Sequence, residues 1–163
     1  MKKIISVLLS IVCVIALTPS FEQTVDIATP SPGESEVMEQ SVEADAMPTV
    51  NIQVVDRNFT AIMYDNESAR AIIGEMPFTL RMDDYASQEK VIGLTFDVPY
   101  SKTETPDKIN AGDMYLWSGN NLVLFYTSFS NSYSYVPIGY ITDVSGLADA
   151  LGKGSVEVTF SIK

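Results

Sequence analysis

The alternation of apolar and polar residues predicts a β-rich domain after about residue 48. Residues 49–55 and 58–64 each alternate, and Asp56-Arg57 separates them, as in a β-hairpin with a two-residue loop. Six further segments rich in β-branched, aromatic or alternating residues predict strands at 78–82, 90–96, 113–117, 122–127, 135–142 and 155–162. Residues 83–88 are polar and predict a turn that includes Asp83 and Asp84, whereas residues 97–111 predict a long surface loop.

Two short helices are predicted between these strands. Asn66 is a suitable N-cap, and apolar residues recur at helical spacing from Ala69 to Met76, where Pro77 ends the pattern. Residues 144–151 predict a second helix that ends at Gly152. Seven or eight strands without a long crossover helix favour a mainly β fold, namely a closed or nearly closed antiparallel barrel with two short helices.

The first 48 residues follow a different pattern. Met1-Lys2-Lys3 and the apolar run 4–17 are typical of a signal peptide, so we assign residues 1–20 to it and expect an exported protein that is secreted, periplasmic or at the cell surface. Residues 21–48 contain acidic residues and prolines but no lysine or arginine, which predicts a disordered acidic linker. The alternatives are an apolar run buried in the domain and an acidic segment that captures a basic partner. Residues 49–163 form the predicted folded domain.

Composition removes several classes of function. The chain has 163 residues, a formal net charge of -11, no histidine and a single cysteine, Cys13. The negative charge argues against a nucleic-acid partner, and we expect membrane contact only through the signal segment. Without histidine, zinc sites and Ser-His-Asp triads are excluded; no calcium-loop spacing is present, so we expect neither a metal nor another cofactor.

Several segments, taken together and in order, resemble the cyclophilin-like fold proteins, a family of small barrel domains found in bacteria. They are Asn66-Glu-Ser-Ala69, Met76-Pro-Phe-Thr-Leu80, Met82-Asp-Asp-Tyr85, Glu89-Lys90, Gly112-Asp-Met-Tyr-Leu-Trp117, Leu122-Val-Leu-Phe-Tyr126, Ser128-Phe129, Tyr133-Ser-Tyr135, Ile138-Gly139 and Gly146-Leu147. The resemblance implies a barrel capped by two helices. It also suggests that Glu89 and Lys90 form a structural ion pair or a ligand contact.

Peptidyl-prolyl isomerisation is the activity that this resemblance first suggests. True cyclophilins use an arginine within an apolar pocket, but their Phe-His-Arg and Phe-x-Phe-Gln motifs do not occur in this sequence. Arg81, beside Met82, is the arginine that could serve by convergence, although an exposed position on its strand is the simpler interpretation. We therefore predict no catalytic residues and keep a divergent isomerase as an alternative.

Aromatic residues are dense between positions 115 and 140, where packing in the core explains some of them and a ligand groove explains others. The leading hypothesis is a non-catalytic domain that binds a small molecule or an extended peptide against these strands and the 97–111 loop. A structural module that docks a partner protein is a further alternative. The predicted ligand-binding residues are Arg81, Met82, Glu89, Tyr115, Trp117, Phe129, Tyr133 and Tyr135.

Overall fold

The computed structural model describes residues 48–163, which form ten strands and two helices. The predicted signal peptide and all of the predicted linker except Pro48 lie outside these residues. The elements are β1 (Thr49–Val54), β2 (Arg57–Met63), α1 (Glu67–Gly74), β3 (Phe78–Tyr85), β4 (Glu89–Gly93), β5 (Lys108–Ile109), β6 (Asp113–Trp117), β7 (Asn121–Phe125), β8 (Phe129–Ser130), β9 (Val136–Ile141), α2 (Leu147–Leu151) and β10 (Val156–Ile162).

Eight of the described strands form a closed barrel in the order β1-β10-β3-β4-β7-β6-β9-β2. Every neighbouring pair is antiparallel, and the barrel closes because β1 pairs with β2 on one side and with β10 on the other. Closure leaves no unpaired strand edge in the barrel. The predicted mainly β fold, an antiparallel barrel with two short helices, is confirmed.

The barrel interior is filled by the inward-facing residues of each strand. On β1, Val50, Ile52 and Val54 are buried, while the residues between them are exposed or half-buried. β2 and β10 alternate in the same way. This two-residue period is what a strand with one buried face requires, and it is the pattern from which the strands were predicted.

Both helices pack apolar side chains on the barrel. In α1, Asn66 caps the N-terminus by accepting a hydrogen bond from the Ala69 N–H at 2.9 Å, and Ala69 and Ile72 are buried in the core. In α2, Leu147 and Leu151 are buried in the same core. No helix among residues 48–163 has the length and apolar character needed to cross a bilayer.

The structure corrects two of the predicted elements. The predicted turn at 83–88 is wrong in its first half, because β3 continues to Tyr85 and the turn begins at Ala86. The 97–111 loop contains β5, which pairs with β8 in a separate two-stranded sheet. The two-residue lengths of β5 and β8 leave no alternation from which they could be predicted.

Candidate functional site

The outer face of β4, β7 and β6 carries a second apolar core, separate from the barrel interior. We call it the outer aromatic cluster; its buried members are Ile109, Tyr115, Val123, Phe125 and Tyr135, with Val91 and Phe129 packed against them. The Phe125 ring lies 5.5 Å from Phe129 and 5.8 Å from Tyr135, measured between centroids, in edge-to-face geometry. Since the inner face of β7 also packs in the barrel, this strand is buried on both sides.

Two segments outside the barrel cover this cluster and are tied to each other by backbone hydrogen bonds. Glu104 and Tyr135 exchange two of them, with N···O distances of 2.7 and 2.9 Å. The Asn131 side chain donates to the carbonyl oxygens of Pro106 and Tyr133 and accepts from the Tyr133 N–H. These bonds tie the 97–111 loop to residues 131–135.

A pocket of about 220 Å³ opens at one edge of the outer aromatic cluster. We call it the aromatic pocket; its lining residues are Tyr85, Gln88, Glu89, Val91, Trp117, Phe129, Tyr133 and Tyr135. Tyr135 and Phe129 belong to the cluster below, whereas Tyr85, Trp117 and Tyr133 are 64%, 46% and 66% exposed. The pocket thus has a packed apolar floor and a rim of solvent-accessible aromatic side chains.

Strand register places an acidic side chain in this apolar setting. Tyr85 on β3 is directly opposite Glu89 on β4, and Glu89 is directly opposite Phe125 on β7. Side chains directly opposite each other on antiparallel strands lie on the same face of the sheet. The carboxyl group of Glu89 is consequently held between aromatic neighbours on the outer face.

Burial raises the pKa of Glu89 to about 7, from an ordinary value of 4.5. Desolvation is the cause, because it penalises the charged form of a carboxyl group. No lysine or arginine of residues 48–163 lies within ion-pair distance of Glu89. Near neutral pH this side chain therefore exists as a mixture of the neutral and charged forms.

Lys90, the next residue on β4, lies on the inner face and is fully buried. Its ammonium group donates to the Asp84 carboxylate at 2.8 Å and to the carbonyl oxygens of Gly152 and Gly154 at 2.8 and 2.7 Å. These three bonds use all three N–H groups of a lysine. The arrangement connects β4 to β3 and to the residues after α2, and it is a structural contact.

Tyr126 completes this interior polar group. Its hydroxyl donates to Asp84 at 2.6 Å, and its ring centroid lies 5.3 Å from the Lys90 ammonium. The hydrogen bond from Lys90, followed by that from Tyr126, lowers the pKa of Asp84. The suggested pairing of Glu89 with Lys90 is wrong, because neighbours in a strand point to opposite faces and the partner of Lys90 is Asp84.

The structure brings together most of the predicted ligand-binding residues. Glu89, Trp117, Phe129, Tyr133 and Tyr135 line the aromatic pocket. Tyr115 does not line it but packs beside it, with its ring centroid 5.2 Å from that of Tyr135.

Arg81 and Met82 do not join this group. Met82 faces inward and is fully buried in the barrel core. Arg81 is exposed on the outer face of β3 and lines a different depression, together with Thr79, Ser155 and Glu157. Arg81 and Met82 lie in the part of β3 that pairs with β10, whereas the part that ends at Tyr85 pairs with β4 beside the aromatic pocket.

Three pocket residues were missed by sequence reasoning, namely Tyr85, Gln88 and Val91. Tyr85 was assigned to a turn, but β3 extends as far as Tyr85. Because residues two apart on a strand share a face, Tyr85 lies on the outer face together with Asp83. Val91 lies two residues after Glu89 and so shares its face of β4. Among residues 48–163 there is no group of three or more acidic or cysteine side chains that could hold a metal ion.

Comparison with known proteins identifies the architecture. A model of the cyclophilin-like family matches residues 52–161 of this chain. The solution structure of the hypothetical protein AF2241 from Archaeoglobus fulgidus has a TM-score of 0.54 at 15% identity, over 72% of this chain and 96% of that one. The structure of McbB in complex with tryptophan has a TM-score of 0.49 at 15% identity, over 70% of this chain and 44% of McbB. No curated protein sequence matches this chain.

Proposed function

The chain belongs to the cyclophilin-like family, and we propose that its barrel is a binding domain whose aromatic pocket takes a group from a small molecule or an extended peptide. This proposal concerns non-catalytic binding. It rests on the geometry of the pocket, since the family match and the AF2241 likeness establish fold alone.

One observation carries the proposal. Four aromatic side chains of residues 48–163 are strongly exposed, and three of them, Tyr85, Trp117 and Tyr133, line this one pocket. Exposed apolar surface is costly when it is contiguous, and such patches commonly mark binding sites. Tyrosine and tryptophan suit this role because each combines a large apolar body with a polar group.

The size of the pocket limits what can enter it. Pockets that hold drug-sized ligands have volumes of about 300–1,000 Å³. At about 220 Å³, the aromatic pocket is suited to a single side chain or a small molecule of similar size. The remainder of a larger ligand would lie on the rim that Tyr85 and Tyr133 form.

Binding is favoured over isomerisation by the position of Arg81. An isomerase of the cyclophilin type needs an arginine within its apolar pocket. In the described part of the chain, no lysine or arginine lines the aromatic pocket, and the depression beside Arg81 is polar, with threonine, serine and glutamate side chains.

We also propose that the domain acts outside the cytoplasm as a secreted, periplasmic or cell-surface protein. The support is the signal-like pattern of residues 1–20, with its Lys2-Lys3 start and apolar run. Fractionation of cells that express the full chain tests this directly. Recovery of the unprocessed chain in the cytoplasm alone would contradict it.

The binding proposal is tested by titrating the protein with libraries of short peptides and small metabolites while recording tryptophan fluorescence. Trp117 is the single tryptophan of the chain, so the signal reports on the pocket itself. Tyr133→Ala should weaken binding of any positive compound by about tenfold, as expected for loss of one aromatic contact. The matched control is Tyr100→Ala, because Tyr100 is 50% exposed but lines a different surface. Equal affinities of the two variants, or no response to either library, would contradict the proposal.

A further inference from the structure

Glu89 is the single charged residue in the lining of the aromatic pocket. The other lining residues are tyrosines, Trp117, Phe129, Val91 and Gln88. An isolated carboxylate that is partly removed from water, with no cation of residues 48–163 beside it, is an unfavourable arrangement in a folded protein. A bound cation would relieve this cost by supplying the missing charge partner.

The aromatic residues of the rim favour the same kind of ligand. The faces of tryptophan and tyrosine rings carry partial negative charge and attract ammonium groups, most strongly where water is excluded. Trp117, Tyr85 and Tyr133 are accessible and lie around the pocket that contains Glu89. An alkylammonium group fits such a pocket in two ways. Its positive charge is attracted to the carboxylate and to the ring faces, and its methylene or methyl groups pack against the aromatic rings.

Other classes of occupant fit less well. An anionic ligand would meet Glu89 without any lysine or arginine in the lining, in a chain whose formal net charge is -11. A neutral apolar ligand would fill the space but would leave the carboxyl group further desolvated. Residues 21–48 of the same chain contain no lysine or arginine, so they have no cationic side chain to offer.

We propose that the aromatic pocket binds an alkylammonium group, carried either by a small amine or by a lysine side chain of an extended peptide. This inference rests on the proposed binding function and specifies its ligand class. Glu89 supplies the negative charge, and Trp117, Tyr85 and Tyr133 supply the aromatic surface.

Binding of such a cation is linked to the proton on Glu89. Three titratable groups of other elements line the pocket with Glu89, namely Tyr85 from β3 and Tyr133 and Tyr135 from the covering segment, and a fourth, Tyr126, couples to it electrostatically from the inner side of the sheet. All four are tyrosines, so none of them carries a positive charge. Because burial raises the pKa of Glu89 to about 7, a cation that arrives below pH 7 must displace a proton. Affinity for the cation should therefore rise between about pH 5 and pH 8.

The experiment compares matched probes that differ in charge. The small-molecule pair is choline and 3,3-dimethylbutan-1-ol, which has the same shape without the charge. The peptide pair is a blocked Ala-Lys-Ala tripeptide and the same tripeptide acetylated on the lysine side chain. Dissociation constants are measured at pH 5 and pH 8 by Trp117 fluorescence and by calorimetry, with wild type and Glu89→Gln.

We expect at least one cation to bind about tenfold more tightly than its neutral partner at pH 8, as expected for one ion pair with aromatic contacts. The preference should shrink at pH 5, and in Glu89→Gln both the preference and its pH dependence should be lost. The pair that responds identifies the source, a free amine or a lysine side chain. Equal or tighter binding of the neutral partners would overturn the inference while leaving the binding function intact. Failure of all four probes together with both libraries would overturn the binding function as well.

Discussion

Glu89 and Lys90 are consecutive residues of β4, yet their side chains occupy two regions with opposite arrangements of partners. On the inner face, the fully buried Lys90 ammonium has three hydrogen-bond acceptors, one of which is the Asp84 carboxylate. On the outer face, Glu89 lies among aromatic side chains, without a cation of residues 48–163 as its partner. The same strand therefore carries one charge whose partners are complete and one whose partner is missing.

The pKa values follow this contrast. The hydrogen bond from Lys90 lowers the pKa of Asp84, which means that the folded state favours the charged carboxylate. Desolvation raises the pKa of Glu89 to about 7, which means that the folded state favours the neutral acid. Removing a partner from a buried, paired charge is strongly destabilising, whereas a charge without a partner costs free energy and leaves a position for a ligand.

The largest effect should come from breaking the interior group with Lys90→Met. This change leaves the Asp84 carboxylate and two backbone carbonyl groups without their donor. Removing one member of a buried ion pair costs about 3–5 kcal/mol in the free energy of unfolding, and we expect the lower end of this range because the Asp84 side chain is 17% exposed. Urea denaturation measures it, with the exposed Lys153→Met as control, which should change stability by less than about 0.5 kcal/mol. If Lys90→Met lowers the free energy of unfolding by less than about 1 kcal/mol, then the partners of Lys90 contribute little to stability, and the contrast between Lys90 and Glu89 does not hold.

A smaller loss should follow Tyr126→Phe, which removes one hydrogen bond to Asp84 and keeps the ring beside Lys90. A hydrogen bond to a charged group contributes about 1.5–3 kcal/mol, and because Asp84 is partly exposed the free energy of unfolding should fall by an amount near the lower end of that range. Tyr140→Phe is the matched control, because the Tyr140 hydroxyl makes no side-chain hydrogen bond within residues 48–163. Equal losses in the two variants would show that the bond to Asp84 contributes nothing specific.

Glu89→Gln should act in the opposite direction and depend on pH. The folded pKa of about 7 lies above the ordinary value of 4.5, so between these pH values the folded state binds more protons than the unfolded state. The stability of the wild type should therefore fall, relative to Glu89→Gln, as pH rises from about 4.5 to about 7, and stay constant above that. Because Glu89 is partly exposed, the difference at pH 8 should be on the order of 1 kcal/mol in favour of the variant.

Urea denaturation of both proteins at pH 4.5, 6 and 8 measures this difference. Glu157→Gln is the control, since Glu157 is exposed on β10. A stability difference that does not change with pH would show that the carboxyl group of Glu89 is fully solvated in the folded protein.

The barrel could be predicted from the sequence because several of its strands bury one face, so that apolar residues recur at every second position, as at Val50, Ile52 and Val54. The same local rule explains why two of the predicted site residues lie apart from the others. It placed Arg81 and Met82 together, although neighbours on a strand face opposite sides and Met82 belongs to the core. It could not distinguish Glu89 from Lys90, because the face that each one occupies depends on the pairing of β4 with β7.

The aromatic members of the site between positions 117 and 135 could be predicted from the sequence, whereas the aromatic Tyr85 could not. Trp117, Phe129, Tyr133 and Tyr135 belong to a stretch in which aromatic residues are dense, so their composition alone is informative. Tyr85 was missed because it comes from a distant hairpin, and it meets the others only through the order β3-β4-β7-β6 within the barrel. Such long-range pairings depend on the whole sheet and leave no local pattern.

The smallest predicted effect concerns the turn that joins Tyr85 to Glu89. Ala86 and Ser87 both have positive φ, 52° and 54°, a region that is unfavourable for side chains other than glycine. Ser87→Gly should relieve this strain in the folded state, but glycine also makes the unfolded chain more flexible, which opposes folding. The net result should be a rise of about 0.5 kcal/mol in the free energy of unfolding. Ser130→Gly is the control, because Ser130 lies in β8 without a positive φ, and glycine there should lower stability. Ser87→Gly changes neither the Lys90 group nor the side chains that line the aromatic pocket, so the affinity of the pocket for its ligand should stay unchanged. If Ser87→Gly weakens binding by more than about threefold, equivalent to roughly 0.7 kcal/mol, the turn itself must position Tyr85 and Glu89.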